Sequence, residues 1–385
     1  MAHQVDPSPR RHIYLGSFEE DTHRCMRCGF CRIKCPTYDF IGWESGSPRG
    51  RMQQLYAILR ERIAPTSYVY DRLMKCTTCG YCEWRCPSGV KTTDAIEAGR
   101  AELQERGFKL EKHYEAGMKI METGNPYGYS REKKILWKSE PSSSRRPQTL
   151  LFSGCTHPYT SPSALRDAYQ VLRRIGVSVS SLGDREPCCG SFLLRTGQRR
   201  PFEDYVSDEM MILNNPSFEK IVTLCPGCYK TLSREVVPRF LNHDIETFHF
   251  ASFIEMLLDR TPNLRFKRVN QTVTYHDPCH LGRHMGIFEE PRKILESLPG
   301  VKLVEMAHNR NLAICCGSGG GVRSAYAEMA SEMAKLRLKE AEDTGADLLV
   351  TSCPFCEKAF RDVSQESDGT PRVIDLAELL WTALG

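Results

Sequence analysis

Apolar residues recur at helical spacing between Arg51 and Ile63, at Met52, Leu55, Ile58, Leu59 and Ile63, which predicts a helix there. A second helix is expected over Thr93–Arg106. Beyond "SEPSSSRRPQ" (Ser139–Gln148), rich in Ser, Pro and charge, the pattern changes. Short β-prone apolar runs now appear: "TLLF" before Cys155, "VTL" before Cys225, "TVTY" before Cys279, "LAI" before Cys315 and "DLLVTS" before Cys353. Helical segments lie between them, for example Pro162–Ile175 and Tyr326–Glu342. Alternating strand and helix means βαβ units on parallel sheets. The expected fold is α+β: a helical domain over residues 1–138, a linker over 139–148, and two α/β modules over 149–262 and 263–385.

The two α/β modules repeat each other in their cysteines. The first carries Cys155, the pair Cys188–Cys189, then Cys225 and Cys228 in "CPGC". The second carries Cys279, the pair Cys315–Cys316, then Cys353 and Cys356 in "CPFC". Corresponding cysteines lie 124 to 128 residues apart. Ligands of parallel sheets gather at the carboxyl ends of the strands, and the cysteines fall there. Neighbouring side chains on a strand point to opposite faces, so paired thiols serve one site only where the backbone turns. Gly190 and Gly317 permit that turn. Five thiolates exceed the four terminal positions of a cubane: one is a spare, or the cluster is not a simple cube.

The helical part holds the remaining eight of the eighteen cysteines. "CMRCGFCRIKCP" and "CTTCGYCEWRCP" each follow the C-x2-C-x2-C-x3-C-P run of a two-cluster ferredoxin, in which the fourth cysteine serves the other cluster. One [4Fe-4S] cubane is therefore expected on Cys25, Cys28, Cys31 and Cys86, the other on Cys76, Cys79, Cys82 and Cys35. Pro36 and Pro87 turn the chain away, and Gly29 and Gly80 let backbone approach the cluster. A structural zinc site, which takes two separated pairs of ligands, suits this spacing poorly.

Composition narrows the setting. The 52 basic and 48 acidic residues nearly cancel, so no strong field points to nucleic acid or an anionic membrane. No apolar run reaches spanning length, the best being near Phe250–Leu258, and "MAHQVDPSPRRH" lacks the apolar core of a signal peptide. A cytoplasmic, reducing setting follows, which argues against disulfides.

The cysteine sets resemble the tandem CCG modules of heterodisulfide reductase, and the fused ferredoxin domain resembles that enzyme's D-type subunit. The chain is also similar to the iron–sulfur subunits of glycolate and lactate oxidases and of anaerobic glycerol-3-phosphate dehydrogenase. "CPTYDFIGWESGSPRGRM" and "CPSGV" are closest to the glycolate oxidase type. The resemblance implies a noncubane [4Fe-4S] cluster on each complete five-cysteine set, and reduction of a disulfide there. Many glycolate-oxidase-type relatives have lost cysteines from these sets; this chain has lost none. No flavin signature is present, so a flavoprotein subunit and further redox subunits are the expected partners. Membrane contact is expected only through a partner. The alternative is a pure relay between a flavoprotein and quinone, ferredoxin or another reductase, such as a benzoyl-CoA reductase-associated subunit.

Other motifs carry weaker expectations. His276, His280 and His284 surround Cys279, and His157 stands near Cys155 as His280 does near Cys279; His157 and His280 are the candidate proton donors. "CGSGGGVR" lacks the Walker lysine, so its glycines are expected to clear room for a cluster. Arg49 and Arg51 are read as a solvated loop, and "KLRLKEAEDTG" as a solvated helix face.

Overall fold

Ser47 accepts a hydrogen bond from the Gly50 amide at 2.8 Å, and Pro48 follows it, so the first long helix starts at Pro48 rather than Arg51. In the computed structural model, which describes residues 12–134, 148–261, 263–364 and 370–385, this helix runs Pro48–Leu59. It buries Met52, Leu55 and Ile58 against Val69, Tyr70, Leu73 and Met74 of helix Ser67–Met74 and Ala95, Ile96 and Leu103 of helix Thr92–Glu105. Each such aliphatic side chain contributes about 1.5–3 kcal/mol on burial. All but Gln148 of the expected linker lies outside the described residues.

The chain forms two compact units. The first contains the described residues up to Met118 together with two later segments, Phe192–Phe202 and Gly317–Met333. Each later segment begins within three residues of a cysteine pair. The second unit contains the rest and both sheets.

The second unit's strands are β1 (Thr149–Phe152), β2 (Val179–Ser180), β3 (Lys220–Thr223), β4 (Glu246–His249), β5 (Gln271–His276), β6 (Val301–Leu303), β7 (Leu348–Thr351) and β8 (Arg372–Asp375). They make two parallel sheets of the same topology, ordered β2-β1-β3-β4 and β6-β5-β7-β8. All of β1 and β7 is buried, as parallel strands covered on both faces require. One core joins the sheets through Leu151 and Val222 of the first and Val273, Tyr275, Leu348 and Val350 of the second. The covering helices exchange partners reciprocally. Helix Leu376–Leu384, after β8, packs on helix Pro162–Arg174, between β1 and β2. Helix Phe250–Leu258, after β4, packs on helix Glu289–Ser297, between β5 and β6.

One expected strand is absent. "LAI" forms a 3-10 turn, Arg310–Leu312, followed by irregular backbone into Cys315. Arg310, two residues before the run, sits at φ 52°, Leu312 closes the 3-10 turn exposed, and only Ala313 of the run is buried, so no strand forms. Both cysteine pairs therefore sit in loops, each followed by a left-handed glycine, Gly190 at φ 77° and Gly317 at φ 84°.

Candidate metal centres

In the first unit the two ferredoxin-type runs share a backbone device. The residue before the second cysteine is left-handed in each, Arg27 at φ 59° and Thr78 at φ 51°, and the glycine after it is too, Gly29 at φ 85° and Gly80 at φ 75°. Left-handed non-glycine residues cost on the order of 1–3 kcal/mol and persist where a site over-determines them. Cys25, Cys28, Cys31, Cys82 and Cys86 all line one cleft of about 400 Å³. Cys35, Cys76, Cys79 and Cys82 come close enough for each thiolate charge to disfavour the others. The two groups differ in exposure. Cys28 is exposed, and Cys25, Cys31 and Cys86 are half-buried; Cys35, Cys76, Cys79 and Cys82 are all buried. Burial pushes the Cys31 and Cys35 thiols up to about 11.

Arg51 is the countercharge that sequence reading missed. It is not in a solvated loop but fully buried. Its guanidinium donates to the Arg72 carbonyl at 2.7 Å and to the Thr37 hydroxyl at 3.0 Å. Since arginine only donates, the Thr37 O–H is left to point at the Cys35 sulfur, 3.3 Å away. Arg49 is also tied down, paired with Glu44 at 2.7 Å. Buried Arg100 binds the Leu73 carbonyl at 2.7 Å, the Cys76 carbonyl at 2.5 Å, the Arg195 carbonyl at 2.6 Å and the Gly320 carbonyl at 3.0 Å. The glycines of "CGSGGGVR" are needed here. A Cβ on Gly319 or Gly320 would lie 2.4 Å from the Thr77 or Cys76 carbonyl oxygen. They clear room for the peptide around a cysteine ligand candidate rather than cradling a phosphate.

In the first repeat, Cys155 hydrogen-bonds Cys188, Cys188 bonds Cys189, Cys189 bonds Cys228 and Cys228 bonds Cys225. Five sulfurs from three separate chain segments thus form one contiguous group. Hydrogen bonds from Cys188 and Cys228 pull the Cys189 thiol down to about 6, the thiolate character a metal ligand needs. A Cβ on Gly154 would lie 3.1 Å from the Cys228 sulfur, so the chain leaves that space to sulfur. The loop into Cys155 is held by buried Glu186, whose carboxylate accepts from the Ser153 amide (3.0 Å), the Ser153 hydroxyl (2.5 Å), the Gly154 amide (2.9 Å) and Lys134 (3.0 Å).

In the second repeat, the Cys316 and Cys356 sulfurs are 3.3 Å apart, and Cys315 and Cys353 bond to them in turn. Cys279 is half-buried just beyond the end of β5. Hydrogen bonds from Cys315 and Cys356, with the His276 ring close by, hold the Cys316 thiol well below its usual value. A ring nitrogen of buried His276 and the sulfurs of Cys316 and Cys356 all lie within 4.8 Å of one another. Arg337 donates to His276 Nδ1 at 3.1 Å, so the proton of the neutral ring sits on Nε2. Burial holds that ring below its usual pKa. "KLRLKEAEDTG" is therefore not wholly a solvated face. Arg337 is fully buried and also binds the His308 carbonyl at 2.7 Å and Glu340. A helical-wheel view places a charge outside by default and has no signal for a buried guanidinium aimed at a ring.

The other histidines divide. His280 is half-buried and packs edge-on against His284, ring centroids 4.7 Å apart. His157 is fully buried, with burial pushing it down to about 3, and its ring faces Glu357 and Asp375.

Comparison with known proteins follows the same division of the chain. Residues 21–90 match the family described as "4Fe-4S dicluster domain", and residues 149–233 and 273–361 each match "Cysteine-rich domain". The chain is 34% identical over 383 residues to the D-type subunit of dihydromethanophenazine:CoB–CoM heterodisulfide reductase of Methanosarcina mazei, covering 94% of this chain and 93% of the relative. It is 34% identical over 361 residues to the B-type subunit of fumarate reductase (CoM/CoB) of Methanothermobacter marburgensis, covering 92% and 71%. It is 26% identical over 426 residues to EtfAB:quinone oxidoreductase of Syntrophomonas wolfei, covering 94% and 58%. In fold it is similar to a hypothetical protein from Helicobacter pylori of known structure, with a TM-score of 0.57 and 12% identity over 96% of this chain and 72% of that one.

Proposed function

The chain belongs to the family of two-cluster ferredoxin and tandem cysteine-rich-domain proteins that includes the D-type subunit of heterodisulfide reductase, and on that premise we propose that it is an iron–sulfur oxidoreductase subunit that delivers electrons to a disulfide-type substrate. The observation that carries this is the pair of complete five-cysteine sets in the loops and helix starts beyond the strand ends of twin parallel sheets. Cys25, Cys28, Cys31 and Cys86, and Cys76, Cys79, Cys82 and Cys35, hold the two cubanes in this reading. Cys155, Cys188, Cys189, Cys225 and Cys228 hold one noncubane [4Fe-4S] cluster, and Cys279, Cys315, Cys316, Cys353 and Cys356 the other. Bound clusters supply one-electron transfer at potentials set by burial and by hydrogen bonds to sulfur.

The chain's own side chains do the rest. Arg51 offsets thiolate charge beside Cys35, and His276 presents an N–H to Cys316. Cleaving a disulfide to two thiols takes two electrons and two protons. Half-buried His280 suits the proton role better than His157, which is sealed from solvent among carboxylates. A flavoprotein subunit supplies the electrons, and any membrane attachment runs through a partner, since no described helix is long and apolar enough to cross a membrane.

A second reading, relay from a flavoprotein to quinone, is favoured by the likeness to EtfAB:quinone oxidoreductase. One experiment separates them. The cluster-loaded chain is reduced chemically, freed of excess reductant, and mixed with either an asymmetric disulfide of two small thiols or a quinone. Reoxidation by the disulfide, with two thiols released per two electrons, is expected. Reoxidation by the quinone alone would establish the relay, and reoxidation by neither would overturn both.

A further inference from the structure

Away from the sulfurs, three side chains of the second unit meet in a fully buried group: His157, Glu357 and Asp375. They come from both repeats. His157 opens a short helix two residues after Cys155, Glu357 follows Cys356, and Asp375 ends β8.

The oxygens of the two carboxylates divide their labour. Glu357 Oε1 accepts from the Ser161 hydroxyl at 2.7 Å and from Arg361 at 2.7 Å. Asp375 Oδ1 accepts from the Ala377 amide at 2.8 Å and caps the last helix. The remaining oxygens, Glu357 Oε2 and Asp375 Oδ2, have no hydrogen-bond partner, and neither does either ring nitrogen of His157. Both oxygens stand 4.0 Å from the same atom, His157 Nε2, and the three ligand atoms all lie within 4.8 Å of one another. That is too far for a direct hydrogen bond. Ligands held tetrahedrally about 2.1 Å from one cation stand about 3.4 Å apart, so each 4.0 Å gap must close by about 0.6 Å to complete the set.

Charge favours a cation over a water. Among the described residues Arg361 is the guanidinium on the pair, bound to Glu357 and shared with Glu378 at 3.1 Å. Without a cation, burial pushes Glu357 up to about 7, and burial and repulsion from Glu357 push Asp375 well above the carboxylate range, so the pair holds a proton that a bound cation would displace. The equivalent position in the first repeat shows what a satisfied site looks like. His249 pairs with Thr223 as Asp375 pairs with Thr351. Its Nδ1 accepts from the Ala251 amide at 3.2 Å and its Nε2 meets the Leu224 carbonyl at 3.0 Å, so nothing is left over.

We propose that His157 Nε2, Glu357 Oε2 and Asp375 Oδ2 bind a divalent transition-metal cation that pins the short helix after Cys155 in the first repeat to the start of helix Pro354–Ser364 in the second. One imidazole and two carboxylates suit zinc, manganese or ferrous iron.

The test uses Mn2+ alone, which has little taste for thiolates. The cluster-loaded full chain is washed with chelator, titrated with Mn2+ and followed by pulsed electron paramagnetic resonance. One bound Mn2+ per chain, coupled to a single imidazole nitrogen, is expected. Asp375→Asn keeps the amide cap but loses one charged ligand, and should weaken binding by at least about 100-fold with iron content unchanged. His308→Ala removes another imidazole–carboxylate pair, His308 with Glu340 at 2.6 Å, and should leave binding as it was. No nitrogen-coupled Mn2+ at millimolar concentration in the wild-type chain would overturn the proposal without any variant. So would equal binding by Asp375→Asn, or loss of binding in His308→Ala.

Discussion

The two cysteine-rich repeats share a sheet order, a cysteine register and a pair of glycine turns, yet each stabilises its cysteine loops with different chemistry. In the first, the loop into Cys155 is held by a carboxylate donated from outside it: Glu186, two residues before Cys188, grips the Ser153 and Gly154 amides. In the second, the carboxylate is on the loop itself. Asp277 is gripped by Arg292 at 2.7 and 2.9 Å and by the Arg310 amide, five residues before Cys315, at 2.7 Å. Either way a buried anion ties the first cysteine's loop to the approach of the cysteine pair. Beside the sulfurs the repeats diverge further. Phe152 pairs with Thr223 where His276 pairs with Thr351, so the first repeat has an apolar ring at the position where the second has an imidazole. The lesson is that the repeats share cysteines and topology while their surroundings differ, so clusters bound there are expected to differ in potential.

The strongest way to break this comparison is to remove one ligand. Cys316→Ser should abolish the spectroscopic signal of the second repeat's cluster and lower iron by about 4 per chain, sparing the cubanes and the first repeat. Cys189→Ser should do the reverse. Joint collapse of all signals in either variant would contradict the independence of the repeats. Next in size is Arg292→Met. It leaves Asp277 buried without its guanidinium and should cost about 3–5 kcal/mol, read as a lower denaturation midpoint. The milder Glu186→Gln, which keeps one oxygen to accept from either the Ser153 or the Gly154 amide, should cost less; an equal loss would contradict the view that the two ties differ in kind. Smaller still is His276→Phe, which gives the second repeat the first repeat's ring. Losing one N–H donor to sulfur is worth about 1 kcal/mol between redox states, so that cluster's potential should fall by about 40 mV in a redox titration. No change would mean that the ring does not serve the sulfur.

The architecture was legible because it is written in periodicity. The helices at Pro48–Leu59, Thr92–Glu105, Pro162–Arg174 and Ala327–Glu342 and the strands at β1, β3, β5 and β7 follow from apolar spacing. The short strands β2, β4, β6 and β8 went unforeseen: none is buried along its whole length, and none leads into a cysteine. The cysteines announced themselves by spacing, since thiolates that share a cluster must recur at fixed offsets. Their supports did not. Arg51, Arg100 and Arg337 are buried arginines answering carbonyls, a hydroxyl and a ring nitrogen far away in sequence, and no local pattern marks such a pairing. "LAI" misled in the opposite sense, because three apolar residues suffice for a strand only where a neighbouring strand pairs with them.

The most direct test of the central claim, that the ten cysteines of the two repeats carry iron–sulfur clusters unlike the cubanes, is iron quantitation with Mössbauer spectroscopy on anaerobically purified protein. The prediction is about 16 irons per chain, half of them in sites whose parameters differ from those of cubanes. About 8 irons, all of cubane type, or stoichiometric zinc in the repeats, would contradict it.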